Sequence, residues 1–350
     1  IQILQFTGTY ALNLLIITLF LIPATFFFNY RRKKKLFIFV FITLICFGNF
    51  FYGKTTIEKN KKVKATFLDY NIKIVSPKIS INRFFQNEEP EDTILDLIEI
   101  SKPNKLENTI FIFPEGVLSN IYLQDIKNYK YIFSNHFSDK HKLILGLNSD
   151  ENQKIFNSLV VLDNELNIIS KYNKNKLVPF GEFLPYENLL SKFGLKKITQ
   201  GYKSFSSDNK RKIINLNDIS FLPLICYEII YSGKLINNKK YFDFILNISE
   251  DGWFGDSAGP HQHFSHSIFR SIEEGKNLIR STNNGISAFI NSKGQIIKKI
   301  ESTDKGVFSI NSFKKGKKTI FNSYGNKIFF YFIIFYISLI FFLKKRENKP

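Results

Sequence analysis

A chain of 350 residues is long enough for one large domain or two ordinary ones, and 44% of it is hydrophobic, with 39 Phe residues. The formal net charge of +19 raises nucleic-acid binding as a function class, but the lysines are scattered rather than striped and no recognised DNA- or RNA-binding signature is present. Two short clusters, RRKKK at 31–35 and KKRENK at 344–349, carry +5 and +3 of that charge. The rest fits either attraction to an anionic lipid surface or a lysine-rich solvated exterior. Of the two cysteines, Cys46 lies inside an apolar run, so pairing with Cys226 is implausible and there is no disulfide framework. The chain starts within a hydrophobic pattern and contains no Met, which reads as a fragment or processed chain lacking its N-terminus.

In chain order, the first elements are apolar. Residues 10–28 (YALNLLIITLFLIPATFFF) are uncharged and long enough to cross a hydrocarbon core of roughly 30 Å as a helix. Residues 36–52 (LFIFVFITLICFGNFFY) and 328–343 (IFFYFIIFYISLIFFL) repeat the pattern. A buried core helix is the alternative for each, but such helices usually carry a polar face. The basic cluster at 31–35 lies between the first two runs and the second cluster follows the third. Both are expected in the cytoplasm by the positive-inside rule, which places the middle of the chain outside it. Three units result: 1–56 with two spans and a basic loop, 57–324 as the middle domain, and 325–350 with the last span and a basic tail.

The middle unit alternates short apolar runs with amphipathic stretches. Strands are expected at 72–75, 109–113, 143–147, 158–162, 221–225 and 242–248, and helices at 92–100 and 263–276. That mixture over one stretch of chain predicts a single layered α/β domain. Three polar residues follow such strands directly. TIFIFPEG ends on a strand and delivers Glu115, FLPLICYE delivers Cys226, and Lys174 follows the strand-like 166–171. Groups beyond strand ends converge on one crevice in α/β sheets. A cysteine is an acyl nucleophile only as thiolate, so it needs a base and a cation or donors for the developing oxyanion. Glu115 and Lys174 supply those chemistries. Taken singly, each residue is more simply a core cysteine or a surface charge.

The segments FPEG, YNKNKLVPFGEFLPYE, ICYE and NISEDGWFGDSAGPHQH resemble motifs of the nitrilase (carbon-nitrogen hydrolase) superfamily. Within it, LVPFGE, CYE and DGWFGDSAGPHQH resemble the apolipoprotein N-acyltransferase family, and QFTGTYALNLL extends the resemblance over nearly the whole chain. The resemblance implies an α-β-β-α sandwich flanked by transmembrane helices, in the bacterial inner membrane and facing the periplasm. It implies Glu115 as general base, Lys174 rather than Lys176 as oxyanion stabiliser, and Cys226 as nucleophile. Glu182 and Glu228 match further acidic positions lining the site. Tyr227 could present its backbone N–H to the oxyanion, and Trp253 and Phe254 would flank an acyl-chain entrance. Implied partners are a phospholipid donor and a diacylated apolipoprotein acceptor, in a monomer without cofactor, metal or nucleic acid. The family carries more N-terminal spans than two, and usually has Asn where this chain has Glu250.

Two rival functions share these residues: a membrane-tethered amidase or nitrilase using water as acceptor, and a non-catalytic membrane protein that binds partners. His261, His263 and His266 raise a metal cluster, but without a completing Cys or carboxylate, structural hydrogen bonding is the better reading. Asn283, Asn284 and Gly285 read as a turn between strands with a structural role.

Overall fold

Twelve strands and eight α-helices organise the residues that the computed structural model describes: 1–27, 32–85, 89–194, 204–216, 218–233, 235 and 241–347. Phe28 of the first expected span, Arg31 of the first basic cluster, and Asn348 and Lys349 of the second lie outside the described residues. The strands are β1 (Thr66–Ser76), β2 (Thr109–Ile112), β3 (His141–Glu151), β4 (Lys154–Leu162), β5 (Ile168–Asn173) and β6 (Ile214–Leu216). They continue as β7 (Ile219–Ile225), β8 (Phe244–Glu250), β9 (Asn277–Asn283), β10 (Ser287–Ile290), β11 (Ile296–Ile300) and β12 (Gly306–Phe313). The helices are α1 (Leu4–Leu21), α2 (Arg32–Lys61), α3 (Pro90–Ser101), α4 (Lys130–His136), α5 (Glu187–Leu190), α6 (Gly259–Glu274), α7 (Ile320–Tyr324) and α8 (Lys327–Glu347).

The strands form two six-stranded sheets, ordered β12-β1-β2-β3-β4-β5 and β11-β10-β9-β8-β7-β6. Each is parallel at its centre (β1-β2-β3 and β7-β8-β9) and antiparallel at its edges. Parallel strands covered on both faces read as unbroken apolar runs rather than alternating ones. Accordingly TIFI of β2 is buried throughout. One core joins the inner faces, with Ile72, Ile110, Ile112 and Leu159 against Phe221, Phe244, Leu246 and Ile279. A second core seats α3 and α4 on the outer face of the first sheet, through Ile94, Leu97, Ile132 and Phe133 against Phe111 and Leu145. A third seats Phe264 of α6 on Leu222, Leu278 and Ala288 of the other sheet. The layers are therefore α-β-β-α. The strands expected at 72–75, 143–147, 158–162 and 221–225 and the helix at 92–100 fall within β1, β3, β4, β7 and α3. The expected 109–113 runs past the end of β2, whereas 166–171 and 242–248 begin before β5 and β8. The expected 263–276 runs past α6, which stops at Glu274 because Gly275 turns left-handed (φ 64°).

Two helices are long and apolar enough to cross a membrane, Leu4–Ala24 and Arg32–Lys61. The apolar part of α8 is a shorter helix, Lys327–Phe342. The limits differ from hydropathy alone. The first helix begins before residue 10 because its opening turns are docked on the sandwich, with Leu4, Thr7, Gly8 and Ala11 buried. At Gly8 the backbone turns left-handed (φ 68°), and a Cβ there would lie 1.9 Å from the Phe321 ring. The second helix runs past residue 52 to Lys61, so the boundary expected at 56/57 falls inside it, where GKTTIEKNK continues the helix as a polar extension.

Where α1 meets the sandwich, a buried polar joint forms. The Thr9 N–H and hydroxyl both donate to Glu273 Oε1 (2.6 and 2.7 Å), which also accepts from the Ser232 hydroxyl (2.8 Å). Arg270 pairs with Glu273 (3.0 Å) and donates to the Ile230 carbonyl (3.4 Å) and the Thr9 hydroxyl. The Thr319 hydroxyl donates to the Glu273 carbonyl, Asn322 to Glu274, and Asn326 to the Ser232 carbonyl (2.8 Å).

Candidate active site

The parallel centre of the first sheet ends at β2, and the chain leaves it through Phe113 and Pro114 to deliver Glu115, 8% exposed. Room for that exit comes from β3: a Cβ on Gly146 would lie 2.5 Å from the Glu115 Cα. Lys174 follows β5 and is 1% exposed, its N–H donating to the Asn157 carbonyl (2.8 Å). The Lys174 ammonium donates to Glu182 Oε1 (2.9 Å) and Glu115 Oε1 (3.2 Å). The Asn157 amide bridges the same two acids, at 2.6 Å to Glu115 and 3.0 Å to Glu182. Glu182 is set by its own loop, in which the Val178 N–H donates to Oε2 (2.8 Å). The far oxygen of Glu115 accepts the Glu250 N–H at 2.9 Å, so one bond crosses from the second sheet to the first.

Cys226 begins a 3-10 turn, Cys226–Ile230, at the end of β7. Its φ of 49° is left-handed, a conformation costing a non-glycine residue on the order of 1–3 kcal/mol and retained where the surroundings enforce it. The enforcing group is Glu228, fully buried. Its carboxylate accepts from the Ile225 N–H (2.9 Å), the Tyr172 hydroxyl (2.8 and 2.9 Å), and the N–H groups of Asn175 (3.0 Å) and Lys176 (3.1 Å). Glu228 therefore faces the scaffold: it staples the nucleophile turn to the loop carrying Lys174. Lys176 contributes its backbone to that staple and is exposed. Tyr227 packs its ring edge-on against Tyr231, centroids 5.5 Å apart.

Burial opposes the charge of Lys174, yet Glu115, Glu182 and the neighbouring Cys226 outweigh it and hold the ammonium well above the ordinary lysine range. Burial and the Glu115 charge push the Cys226 thiol up, against the opposing pull of Lys174 and the Ser249 hydroxyl. Cys226 thus rests as a thiol beside Glu115, an arrangement suited to proton removal during nucleophilic attack rather than a standing thiolate.

Behind Cys226 stands a second network. His263 directs one ring nitrogen at the Cys226 carbonyl (3.2 Å) and the other at Asp251 (2.9 Å), which also binds Arg280 (2.7 Å) and the Ser249 hydroxyl (2.7 Å). Burial alone would raise Asp251, but Arg280 and His263 hold it at about 2. His263 is accordingly held by hydrogen bonds to the scaffold. His261 is exposed, and burial beside Arg270 lowers His266 to about 4. No cluster of three metal-binding side chains occurs among the described residues. Trp253 and Phe254 occupy the turn after β8, 45% and 41% exposed, with Trp253 on Phe84 (5.1 Å) and Phe85 (6.2 Å). A polar groove of about 490 Å³, lined by Lys78, Asp256, Ser257, His261 and Asn284, lies alongside that turn and does not include Glu115, Lys174 or Cys226.

The eight residues singled out in sequence thus fall into three groups. Glu115, Lys174 and Glu182 share one hydrogen-bonded cluster coupled to Cys226, Glu228 and Tyr227 belong to the turn behind it, and Trp253 and Phe254 form an apolar rim. Asn157, Tyr172 and Arg280 escape a sequence reading. The one local signal is Asn157-Ser158, a polar pair inside the otherwise apolar KIFNSLVVL.

The family model for carbon-nitrogen hydrolase matches residues 137–311, which contain Lys174 and Cys226. Curated proteins named apolipoprotein N-acyltransferase are similar along the chain. That of Rickettsia typhi is 30% identical over 97% of this chain and 70% of its own length, and that of Rickettsia prowazekii 29% over 98% and 69%. A Rhizobium rhizogenes relative is 35% identical over 56% of this chain, which spans only 38% of that protein. Among solved structures, glutamine-dependent NAD+ synthetase from Acinetobacter baumannii superposes with TM-score 0.51 and 15% identity, covering 70% of this chain and 45% of its own. A mutant of the nitrilase-superfamily amidase from Nesterenkonia AN1 gives 0.50 and 10%, covering 70% and 92%. Both share the fold. The sandwich, the apolar flanking helices and the end-to-end similarity make this chain a member of the apolipoprotein N-acyltransferase family.

Proposed function

We propose that this chain takes a fatty acyl group from a phospholipid onto Cys226 and passes it to the α-amino group of a diacylglyceryl-cysteine at an apolipoprotein N-terminus. The observation that carries the reading is the convergence of Glu115, Lys174 and Cys226 beside an apolar rim, on a chain with membrane-length helices. In the first half-reaction Glu115 accepts the thiol proton as sulfur bonds to the ester carbonyl carbon. The oxyanion forms against the Lys174 ammonium, with the Tyr227 N–H as a further donor. Collapse breaks the ester C–O bond, and the lysophospholipid leaves with the proton held by Glu115. In the second, the acceptor amine attacks the thioester, gives its proton to Glu115, and the Cys226 thiolate departs and is reprotonated.

Both substrates carry acyl chains held in a bilayer, so the spans keep the site at its surface. The basic clusters favour an orientation with 31–35 in the cytoplasm and the catalytic unit in the periplasm. Trp253 and Phe254 suit an acyl-chain entrance that keeps water from the thioester.

Purified protein incubated with phospholipid alone should gain one acyl group on Cys226, removable by hydroxylamine, absent in Cys226→Ser and retained in Cys46→Ser. Adding a diacylated lipopeptide should discharge it as the N-acyl product. An unmodified Cys226 with steady release of fatty acid would make the protein a hydrolase instead.

A further inference from the structure

We infer that Arg83 and Glu250 form a buried positioning pair that holds Glu115 in register for proton transfer, clamping it from the residue after it and from the donor to its carboxylate. This rests on the role of Glu115 as base.

Glu250 closes β8 and is 1% exposed, at the position where an Asn is usual in the resembling motif. A carboxylate buried there must be compensated. Burial pushes its carboxyl up, opposed chiefly by Arg83, whose guanidinium is itself buried against it. Its remaining capacity is taken by the Asn283 amide (2.7 Å), the Asn284 amide (3.2 Å) and the Gly252 N–H (2.8 Å). The turn read from sequence as Asn-Asn-Gly thus supplies two amides to this acid.

Arg83 sits on a 3-10 turn, Ile81–Phe84. Its Nε and one terminal nitrogen both donate to the Gly116 carbonyl (3.1 Å each), the other terminal nitrogen donates to the Ser80 carbonyl (2.9 Å), and the bond to Glu250 completes the fork. The guanidinium lies over the Phe84 ring, 4.3 Å from its centroid, and Phe84 carries Trp253. Gly116 directly follows Glu115, and the Glu250 N–H is the donor to Glu115 Oε2. A single planar cation therefore ties the first sheet's exit at Glu115 to the second sheet's donor. Only arginine can hold a carbonyl and a carboxylate with one rigid fork. The charged and titratable groups around Glu115 are Lys174 and Glu182 from the first sheet's loops, Cys226 and Glu250 from the second sheet, and Arg83 behind Glu250.

The test is a double-mutant cycle in a Cys46→Ser background, measuring thioester formation on phospholipid vesicles and, separately, the pH profile of Cys226 alkylation by iodoacetamide. Arg83→Met leaves Glu250 buried and unpaired beside the base. Thioester formation should fall about 10- to 100-fold, and the acid limb of alkylation should move to higher pH, because an uncompensated neighbouring anion favours protonated Glu115. Glu250→Gln alone should lose only a few-fold. Arg83→Met/Glu250→Gln should recover at least tenfold over Arg83→Met and return the limb to its wild-type position, and Arg83→Lys should be intermediate. A double variant no better than Arg83→Met, or an unmoved acid limb in Arg83→Met protein of wild-type melting temperature, overturns the pair. Wild-type protein that forms no thioester, with the alkylation shifts still present across the variants, would refute the acyl-transfer reading and leave the pair standing.

Discussion

Two buried clusters of this molecule use the same ingredients, one cation and two carboxylates, and do opposite things with them. At Lys174 the acids Glu115 and Glu182 keep a narrow opening to solvent and outweigh burial, so the cation stays charged. At the α1–α6 joint burial wins. It pushes Glu273 up and Arg270 down despite their pairing, and raises Glu274 to about 7, with Glu273 adding to that rise. The first cluster directs its hydrogen bonds at holding charge beside Cys226. The second gathers donors from Thr9, Ser232, Thr319 and Asn322 in distant parts of the chain. One cluster keeps a cation charged beside a thiol, and the other ties α1 to α6.

The sharpest way to break the comparison is at Lys174. Lys174→Ala and Glu115→Gln should each lower the rate of thioester formation by about 10²- to 10⁴-fold, while Lys176→Ala, outside the cluster, should stay within a few-fold. Equal losses at both lysines in a single-turnover assay would dissolve the distinction between them. Gly146→Ala comes next. Its new methyl meets the Glu115 backbone at 2.5 Å, so Glu115 must move, and activity should fall about 10- to 100-fold. Wild-type activity in that variant would mean that the position of Glu115 is unimportant.

The smallest effect is one of pH. Glu274 titrates at about 7 against an ordinary 4.5, so the fold favours its protonated form. The stability it contributes is fully present below about 4.5 and is lost as pH rises through 7. Glu274→Gln mimics the protonated acid, keeps an acceptor for Asn322, and should flatten that loss. Its melting temperature above pH 7.5 should exceed the parent's by about 2–5 °C, with no gain at pH 4. A uniform shift at both pH values would show that the carboxyl does not titrate in this window.

How much of this the sequence reveals depends on how local the information is. Cys226, Glu115 and Lys174 are legible because each is a polar residue at the end of an apolar strand, but nothing in those runs says which strands neighbour one another. Glu250 is visible as a departure from a motif, but its partner is 167 positions away on a turn with no signature of its own. Asn157 meets Glu115 only because β4 pairs beside β3. Hydropathy reads the first helix from residue 10, since Thr7, Gly8 and Thr9 look like a polar lead-in until Glu273 and Phe321 are brought against them.

The joint at Glu273 also has a consequence in time. Ser232, just beyond the Cys226 turn, donates to the same Glu273 oxygen that Thr9 reaches, and its carbonyl accepts from Asn326, so residues from both flanks of the sandwich meet there. Translation runs from one end to the other, so this support beside the Cys226 turn stays unfinished until Asn326, 100 positions beyond Cys226, has been added and has reached Ser232.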